Sequence, residues 1–278
     1  MKLMVTVLVL LCASLTSAHA EPVVEKKDWR QTFVVGDAPT LKIDNIWGDI
    51  NIVTGDSGRI TMSFSTERRA ANQEDFELSK TLIPLHIDNQ GNDVIVRVGR
   101  NDRQWSREQR CDRCRLHVDL MVVVPPRTRL DVSTINDGDI QVSGVSGIVS
   151  AQNINGAVST SGLRQCDKIE ALNGDINAQF SQEPALDCLI ETLNGDIRLS
   201  LPDGVSVDFA VETGNGKIRS DLDLSSRDMP AKVERQHSNG RYQYDIEQLA
   251  GLRVGSGGNT LTIKSLNGDI RLTRSTDK

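Results

Sequence analysis

The sequence predicts an all-β chain: a β-solenoid, or β-helix, with coils of about 18–21 residues, extra N-terminal strands and a C-terminal β cap. The first observation behind this is a recurring turn. Leu193-Asn194-Gly195-Asp196-Ile197 returns as Leu172-Asn173-Gly174-Asp175-Ile176 and as Leu266-Asn267-Gly268-Asp269-Ile270. Looser copies surround Gly48, Gly138, Gly156 and Gly216. The second is spacing, since the turn glycines at 138, 156, 174, 195 and 216 stand 18, 18, 21 and 21 residues apart. Periods near twenty belong to stacked architectures in which each coil leaves a face that only its neighbours cover. The third is alternation. Two residues after each glycine stand Ile140, Val158, Ile176, Ile197 and Ile218, and four after stand Val142, Thr160, Ala178, Leu199 and Ser220. Between them lie Gln141, Ser159, Asn177, Arg198 and Arg219, the period of a strand with one face buried and one wet.

A hairpin competes with this reading, because Asn-Gly between alternating runs is also a strong hairpin signal. Folded so, Glu191 would face Arg198 across the turn. The near-constant interval and the like residues at like positions favour stacked coils, which would align the Ile row and the Asp row about 4.8 Å apart.

The chain is expected to begin with a signal peptide over residues 1–20. Lys2 gives the positive start, Leu3 to Leu15 is largely apolar, and Ala18-His19-Ala20 supplies a cleavage pattern before Glu21. Residues 21–278 then form one domain, with N-terminal strands and an arginine-rich loop over 21–124, regular repeats over 125–222 and closing strands over 223–278. Short strands are expected at Gln31–Val35, Leu41–Ile43, Asp49–Val53 and Arg59–Phe64, and a short helix within Thr66–Lys80. Asp93–Val98 and Leu116–Val124 read as strands, the second stopped by Pro125-Pro126. In the closing segment Lys232–Arg235 and Arg241–Ile246 read as strands joined at Ser238-Asn239-Gly240. The segment as a whole is expected to cap the stack.

Composition narrows the function classes. Lys and Arg number 32 against 38 Asp and Glu, a net charge of −6, which argues against wholesale nucleic-acid binding. Aromatic residues are 4% of the chain, so the core is aliphatic. No stretch after the signal approaches the ~20 apolar residues of a membrane helix, so no transmembrane anchor is expected. Four cysteines remain after cleavage, Cys111, Cys114, Cys166 and Cys188, and an even number in an exported chain favours disulfides.

The run from Val122 to Lys278 resembles the putative-adhesin family of bacterial envelope proteins, a domain family of unknown function, and is similar to the head domains of auto-transporter adhesins. Val123-Val124-Pro125-Pro126, Leu130-Asp131-Val132, the Gly-Asp-Ile turns and Ile197-Arg198-Leu199-Ser200-Leu201-Pro202 carry the likeness, which extends back to Ile43–Ile50. The resemblance implies a β-solenoid in the envelope or outside the cell, with adhesion proposed for the family from its architecture. The cysteines and the arginine-rich loop depart from it.

Candidate chemistry lies in three places. Cys111-Asp112-Arg113-Cys114 is a C-x-x-C without a βαβ pattern around it, read as a local disulfide in preference to a redox pair or, with His117, a zinc site. Cys166 and Cys188 precede their turn glycines by eight and seven residues, so neighbouring coils bring them together. The segment 97–115 holds seven arginines against three acids around Trp105. Arg100, Arg103, Arg107, Arg110 and Arg113 form a candidate anion-contact patch, against the plainer reading of a solvated loop. The Asp row of Asp139, Asp175, Asp196 and Asp269 could ligate calcium, but Asp beside Gly more simply shapes a turn.

No nucleophile, phosphate-loop or zinc-protease motif is present, so no catalytic residue, cofactor or metal is expected. The function expected is a non-enzymatic exported binding or adhesin-like module. Its partner would be an envelope polymer, a lipid headgroup or a protein, with oligomeric state open. A polysaccharide-active β-helix enzyme is one alternative, although the carboxylates stand one per coil, whereas hydrolysis needs a paired acid and base. An envelope-stress or signalling accessory protein is another.

Overall fold

The computed structural model describes residues 21–99, 111, 113–226, 233–238, 241–246 and 250–275. The chain enters through β1 (Val23–Val34), β2 (Thr40–Asp44), β3 (Ile50–Thr54) and β4 (Arg59–Ala70). Helix α1 (Gln73–Leu82), β5 (Leu85–Gln90), β6 (Asp93–Val98) and β7 (Arg115–Val124) follow. Next come β8 (Arg129–Thr134), β9 (Ile140–Ser143), β10 (Ile148–Asn155), β11 (Val158–Leu163), β12 (Gln165–Asn173) and β13 (Ile176–Phe180). After these run β14 (Cys188–Asn194), β15 (Ile197–Leu201), β16 (Val207–Asn215), β17 (Ile218–Ser220) and β18 (Ser225–Ser226). The chain closes with β19 (Val233–Ser238), β20 (Arg241–Ile246), β21 (Ala250–Val254), β22 (Thr260–Asn267) and β23 (Ile270–Arg274). The fold is nearly all β, as the alternation predicts: two open mixed sheets of twelve and eleven strands.

The two sheets share one interior. Strands around each Asn-Gly corner belong to different sheets, so β14 and β15 do not pair with each other and the hairpin alternative is not adopted. Each corner joins a strand of the eleven-stranded sheet to one of the twelve-stranded sheet, making one layer. In spatial order the layers are β6–β7, β2–β3, β8–β9, β10–β11, β12–β13, β14–β15, β22–β23 and β16–β17, and neighbours pair in parallel. Ile50, Ile140, Val158, Ile176, Ile197, Ile270 and Ile218 stand in register and are fully buried. Burying each such side chain stabilises the fold by about 1.5–3 kcal/mol.

Chain order and spatial order differ at both ends. The strands expected as N-terminal extras, β2 and β3, form a regular layer beside β8–β9. The closing segment divides. β22 and β23 enter the stack between β14–β15 and β16–β17, because the side chains of 261–272 repeat the pattern of 188–199. The remaining closing strands cover the end: β20 pairs antiparallel with β17 and β19, and β21 with β16 and β18. At the opposite end β4 lies antiparallel on β7, β1 on β4 and β5 on β6. Antiparallel strands thus flank the parallel stack at both ends, beyond its otherwise unpaired ladders.

Residues Thr66–Ala70 extend β4 instead of starting the helix, which begins after Asn72, whose side chain accepts the Asp75 amide. Arg68 donates to the carbonyls of Ser79 and Ile83 at 2.7 and 2.9 Å, tying the helix C-terminus to the sheet.

The turn glycines are needed for proximity more than for torsion. A β-carbon at Gly138, Gly174, Gly195, Gly216 or Gly268 would overlap the carbonyl oxygen of the turn glycine in the adjacent layer. The hydrogen in its place points at that oxygen, the arrangement of a weak Cα–H···O bond. The same oxygens accept stronger bonds from side chains, Thr134 to Gly48, Asn153 to Gly138, Thr192 to Gly174, Ser265 to Gly195 and Thr213 to Gly268, at 2.8–3.2 Å, all buried except the half-buried Thr213. At the equivalent place above Gly156 stands Ala171, in register with Asn153 and Thr192.

Two predictions follow from this corner. Gly195→Ala should destabilise the protein by about 3 kcal/mol, since the clashing atoms are backbone and cannot turn away. Ala171→Ser should stabilise it by about 1 kcal/mol by donating to Gly156. Urea unfolding of both variants against the parent measures these shifts, and a neutral Gly195→Ala would show that the layers can separate freely.

Candidate functional site

The outward positions of the twelve-stranded sheet form a flat polar face. One residue beyond each core Ile stand Asn51, Gln141, Ser159, Asn177, Arg198, Arg271 and Arg219, in register on seven successive parallel strands. A second file holds Val53, Ser143, Ser161, Ser200 and Thr273. Its hydroxyls bond across strands, Ser161 to Ser143 and Ser200 with Thr273, each at 2.9 Å. All of these residues except Arg219 line a shallow open groove.

The arginines meet because β23 lies between β15 and β17. Arg271 pairs in register with Arg198 on one side and Arg219 on the other, so the three side chains start about 4.8 Å apart. The outer two are held by corner carboxylates. Arg198 reaches Asp175 at 3.3 Å and Asp196 at 3.4 Å, and Arg219 bonds Asp269. Arg271 is exposed and has no ion-pair partner among the described residues. Only Arg198 and Arg219 were visible as outward positions of the regular repeat. The signal for Arg271 was available: Asp269-Ile270-Arg271-Leu272 copies Asp196-Ile197-Arg198-Leu199.

The Asp row has a structural task. One carboxylate oxygen of each Asp accepts a backbone N–H from the adjacent layer: Asp49 from Asp139, Asp139 from Ala157, Asp175 from Asp196, Asp196 from Asp269 and Asp269 from Lys217, at 2.8–2.9 Å. The other oxygen of Asp175, Asp196 and Asp269 faces an arginine. Beside it runs an amide ladder, Asn136, Asn155, Asn173, Asn194, Asn267 and Asn215, bonded side chain to side chain at 2.7–3.1 Å. Among the described residues no group of three His, Cys, Asp or Glu converges to hold a metal ion.

Gly48, Gly138, Gly156, Gly174, Gly195, Gly268 and Gly216 line up along this corner. Arg100, Arg103, Arg107 and Arg110 lie outside the described residues, as does Trp105. In sequence they fall between β6 and β7. Arg113 has a left-handed backbone with φ of 58°. Of the flanking arginines, Arg97 lies 3.5 Å from Asp44, and Arg115 bonds Asp137 with its guanidinium 5.5 Å from the centre of the Trp47 ring. His117 bonds Asp119 at 2.9 Å.

Both cysteine pairs are disulfides. Cys111 and Cys114 join across a Cα separation of 5.6 Å, with both sulfurs against the Asp75 carbonyl of α1. Cys166 and Cys188, 5.4 Å apart at Cα, join β12 to β14 inside the core. A cross-link over 22 residues stabilises by about 3 kcal/mol through the unfolded chain.

The eleven-stranded side of the corner carries a different surface. Ile135, Ile154, Leu172, Leu193 and Leu266, each preceding its ladder Asn, are 37–49% exposed. They form an aliphatic ridge beside Glu170, Glu191 and Glu212.

The hydrogen bond from Arg219, followed by the backbone N–H of Lys217, holds Asp269 below its ordinary value of 3.8. A depressed carboxylate stabilises the fold above its unfolded value and loses that contribution as pH falls through its folded value. Asp269→Asn should therefore cost on the order of 1 kcal/mol at neutral pH, a partly exposed pair being weakened by solvent. The gap should close below about pH 4. Thermal unfolding across pH checks this, and a gap that persists at low pH would assign the loss to packing.

No protein-family model and no curated protein matches the chain. Among solved structures it is similar to a putative cell adhesion protein from Clostridium sporogenes ATCC 15579, with 12% identity, a TM-score of 0.44, and coverage of 90% of this chain and 100% of that one. It is also similar to a putative adhesin from Bacteroides fragilis NCTC 9343, with 10% identity, a TM-score of 0.36, and coverage of 90% and 97%. Identities and TM-scores this low carry no functional assignment.

Proposed function

We propose that the protein is an exported, non-enzymatic β-solenoid, one domain over 21–278, which serves as an adhesin-like binding module of the cell envelope or surface. It holds an extended polymer along the polar face of the twelve-stranded sheet. The observation that carries this reading is the register of Asn51, Gln141, Ser159, Asn177, Arg198, Arg271 and Arg219. That register spaces hydrogen-bonding groups evenly over about 29 Å, six strand spacings. An even, flat row suits a repeating ligand better than a compact one, which a concave pocket would enclose.

Further support comes from several directions. Parallel layers in register fit a solenoid. Two disulfides fit an oxidising compartment, and Lys2 with Ala18-His19-Ala20 fits export by a cleaved signal. Among the described residues no helix is long and apolar enough to cross a membrane. The non-enzymatic reading rests on the corner carboxylates, which are spread one per layer and engaged with the backbone.

The test is retention on envelope material. Purified protein should sediment with an envelope fraction, and replacing Gln141, Ser159 and Asn177 together by Ala should weaken retention at least tenfold with unchanged thermal stability. Equal retention of the triple variant would remove this face as the binding surface.

A further inference from the structure

We infer that Arg271 is the anion-reading subsite of the polar face, and that the polymer it reads is a linear acidic polysaccharide carrying well-separated carboxylate or sulfate groups. This rests on the face being the binding surface and adds the ligand's chemistry. The three stacked guanidiniums are not equivalent. Arg198 and Arg219 spend donors on Asp175, Asp196 and Asp269, whereas Arg271 is exposed between them without an acidic partner among the described residues. A guanidinium fork binds a carboxylate or sulfate through two parallel N–H bonds, and its two neighbours discourage any cation from settling there.

The surroundings fix the rest of the ligand. Next to Arg271 lie the Ser200 and Thr273 hydroxyls, and away from it the central file runs through Asn177, Ser159 and Gln141 to Asn51. These side chains both donate and accept, which matches sugar hydroxyls. From Arg271 to Asn51 is five strand spacings, about 24 Å, so a chain laid across the strands meets one cationic position without a carboxylate partner, then the carboxylate-paired Arg198, and then a neutral track from Asn177 to Asn51. That favours charges that are sparse along the polymer. It disfavours a nucleic acid, whose phosphates follow at every nucleotide and whose bases want aromatic platforms that neither file contains. A net charge of −6 adds general repulsion to any densely charged polyanion. A lipid surface is disfavoured because the track from Asn51 to Arg271 offers mostly amides and hydroxyls, its exposed apolar side chains, Val53 and Met121, standing only at the Asn51 end.

The experiment measures binding of the full mature chain to hyaluronan, which carries one carboxylate on every second sugar. Neutral dextran, single-stranded DNA and anionic phospholipid vesicles serve as comparators, and Arg271→Gln and Arg271→Lys as variants. Hyaluronan should bind at least tenfold more tightly than dextran, and the advantage should shrink with salt. Arg271→Gln should remove that advantage at unchanged thermal stability. Arg271→Lys should restore part of it, because the charge returns without the fork. If hyaluronan and dextran bind alike, or Arg271→Gln changes nothing, the anion subsite is overturned while a neutral polymer face survives. Failure of hyaluronan to bind at all, or tighter binding of DNA or vesicles, overturns the acidic-polysaccharide assignment. The polar face itself falls only if the Gln141, Ser159 and Asn177 triple variant also stays on envelope material.

Discussion

The carbonyl oxygen of one turn glycine occupies the space where the next turn glycine would carry a side chain, and this approach of backbone to backbone recurs along the whole corner. Everything else in the stack is set by it. The approach brings each Asp within reach of the next layer's amide, each Asn within reach of the next Asn, and each buried Thr, Ser or Asn within reach of a glycine carbonyl. Individually these bonds contribute about 1 kcal/mol. Collectively they hold register, and register is the property on which the polar face depends, because a slip of one residue would turn core isoleucines outward and arginines inward.

The face is assembled from distant parts of the chain. Asn51 comes from the entry strands, Gln141 to Arg198 from successive layers, and Arg271 from the last strand, which lies between two segments made earlier. No short motif could contain such a site. The rigidity of the layers supplies what a loop-built site would obtain from supporting contacts, a fixed spacing of groups without an induced change.

Legibility followed locality. The interval between glycines and the period-two alternation are local, so the strands from β8 to β17 could be read directly, as could the meeting of Cys166 with Cys188 one layer apart. The turn glycines were readable as turns, but their crowding against the adjacent layer is a contact between residues 18 to 90 positions apart, which no local rule contains. The same holds for Arg271. Its strand read as a cap because it follows an irregular segment, and its true neighbours are set by layer pairing across that segment. Asp269 was legible as a turn former, whereas its shared duty to Lys217 and Arg219 needed the spatial order of layers.

The insertion of the last layer also bears on the order in which the molecule can be made. β16 and β17 are synthesised before the strands on which they rest, and the amide of Asp269 must find Asp196 across 73 residues of chain. Closing such a loop late is slow compared with adding a layer next in sequence. Until it closes, β16–β17 has no partner on its inner side, and the antiparallel strands beyond it have nothing to cover. Layers from β8–β9 to β14–β15 can settle on one another as they emerge, while the far end waits for β22 and β23. A chain lacking β22 and β23 would lose an interior layer and strand the one outside it.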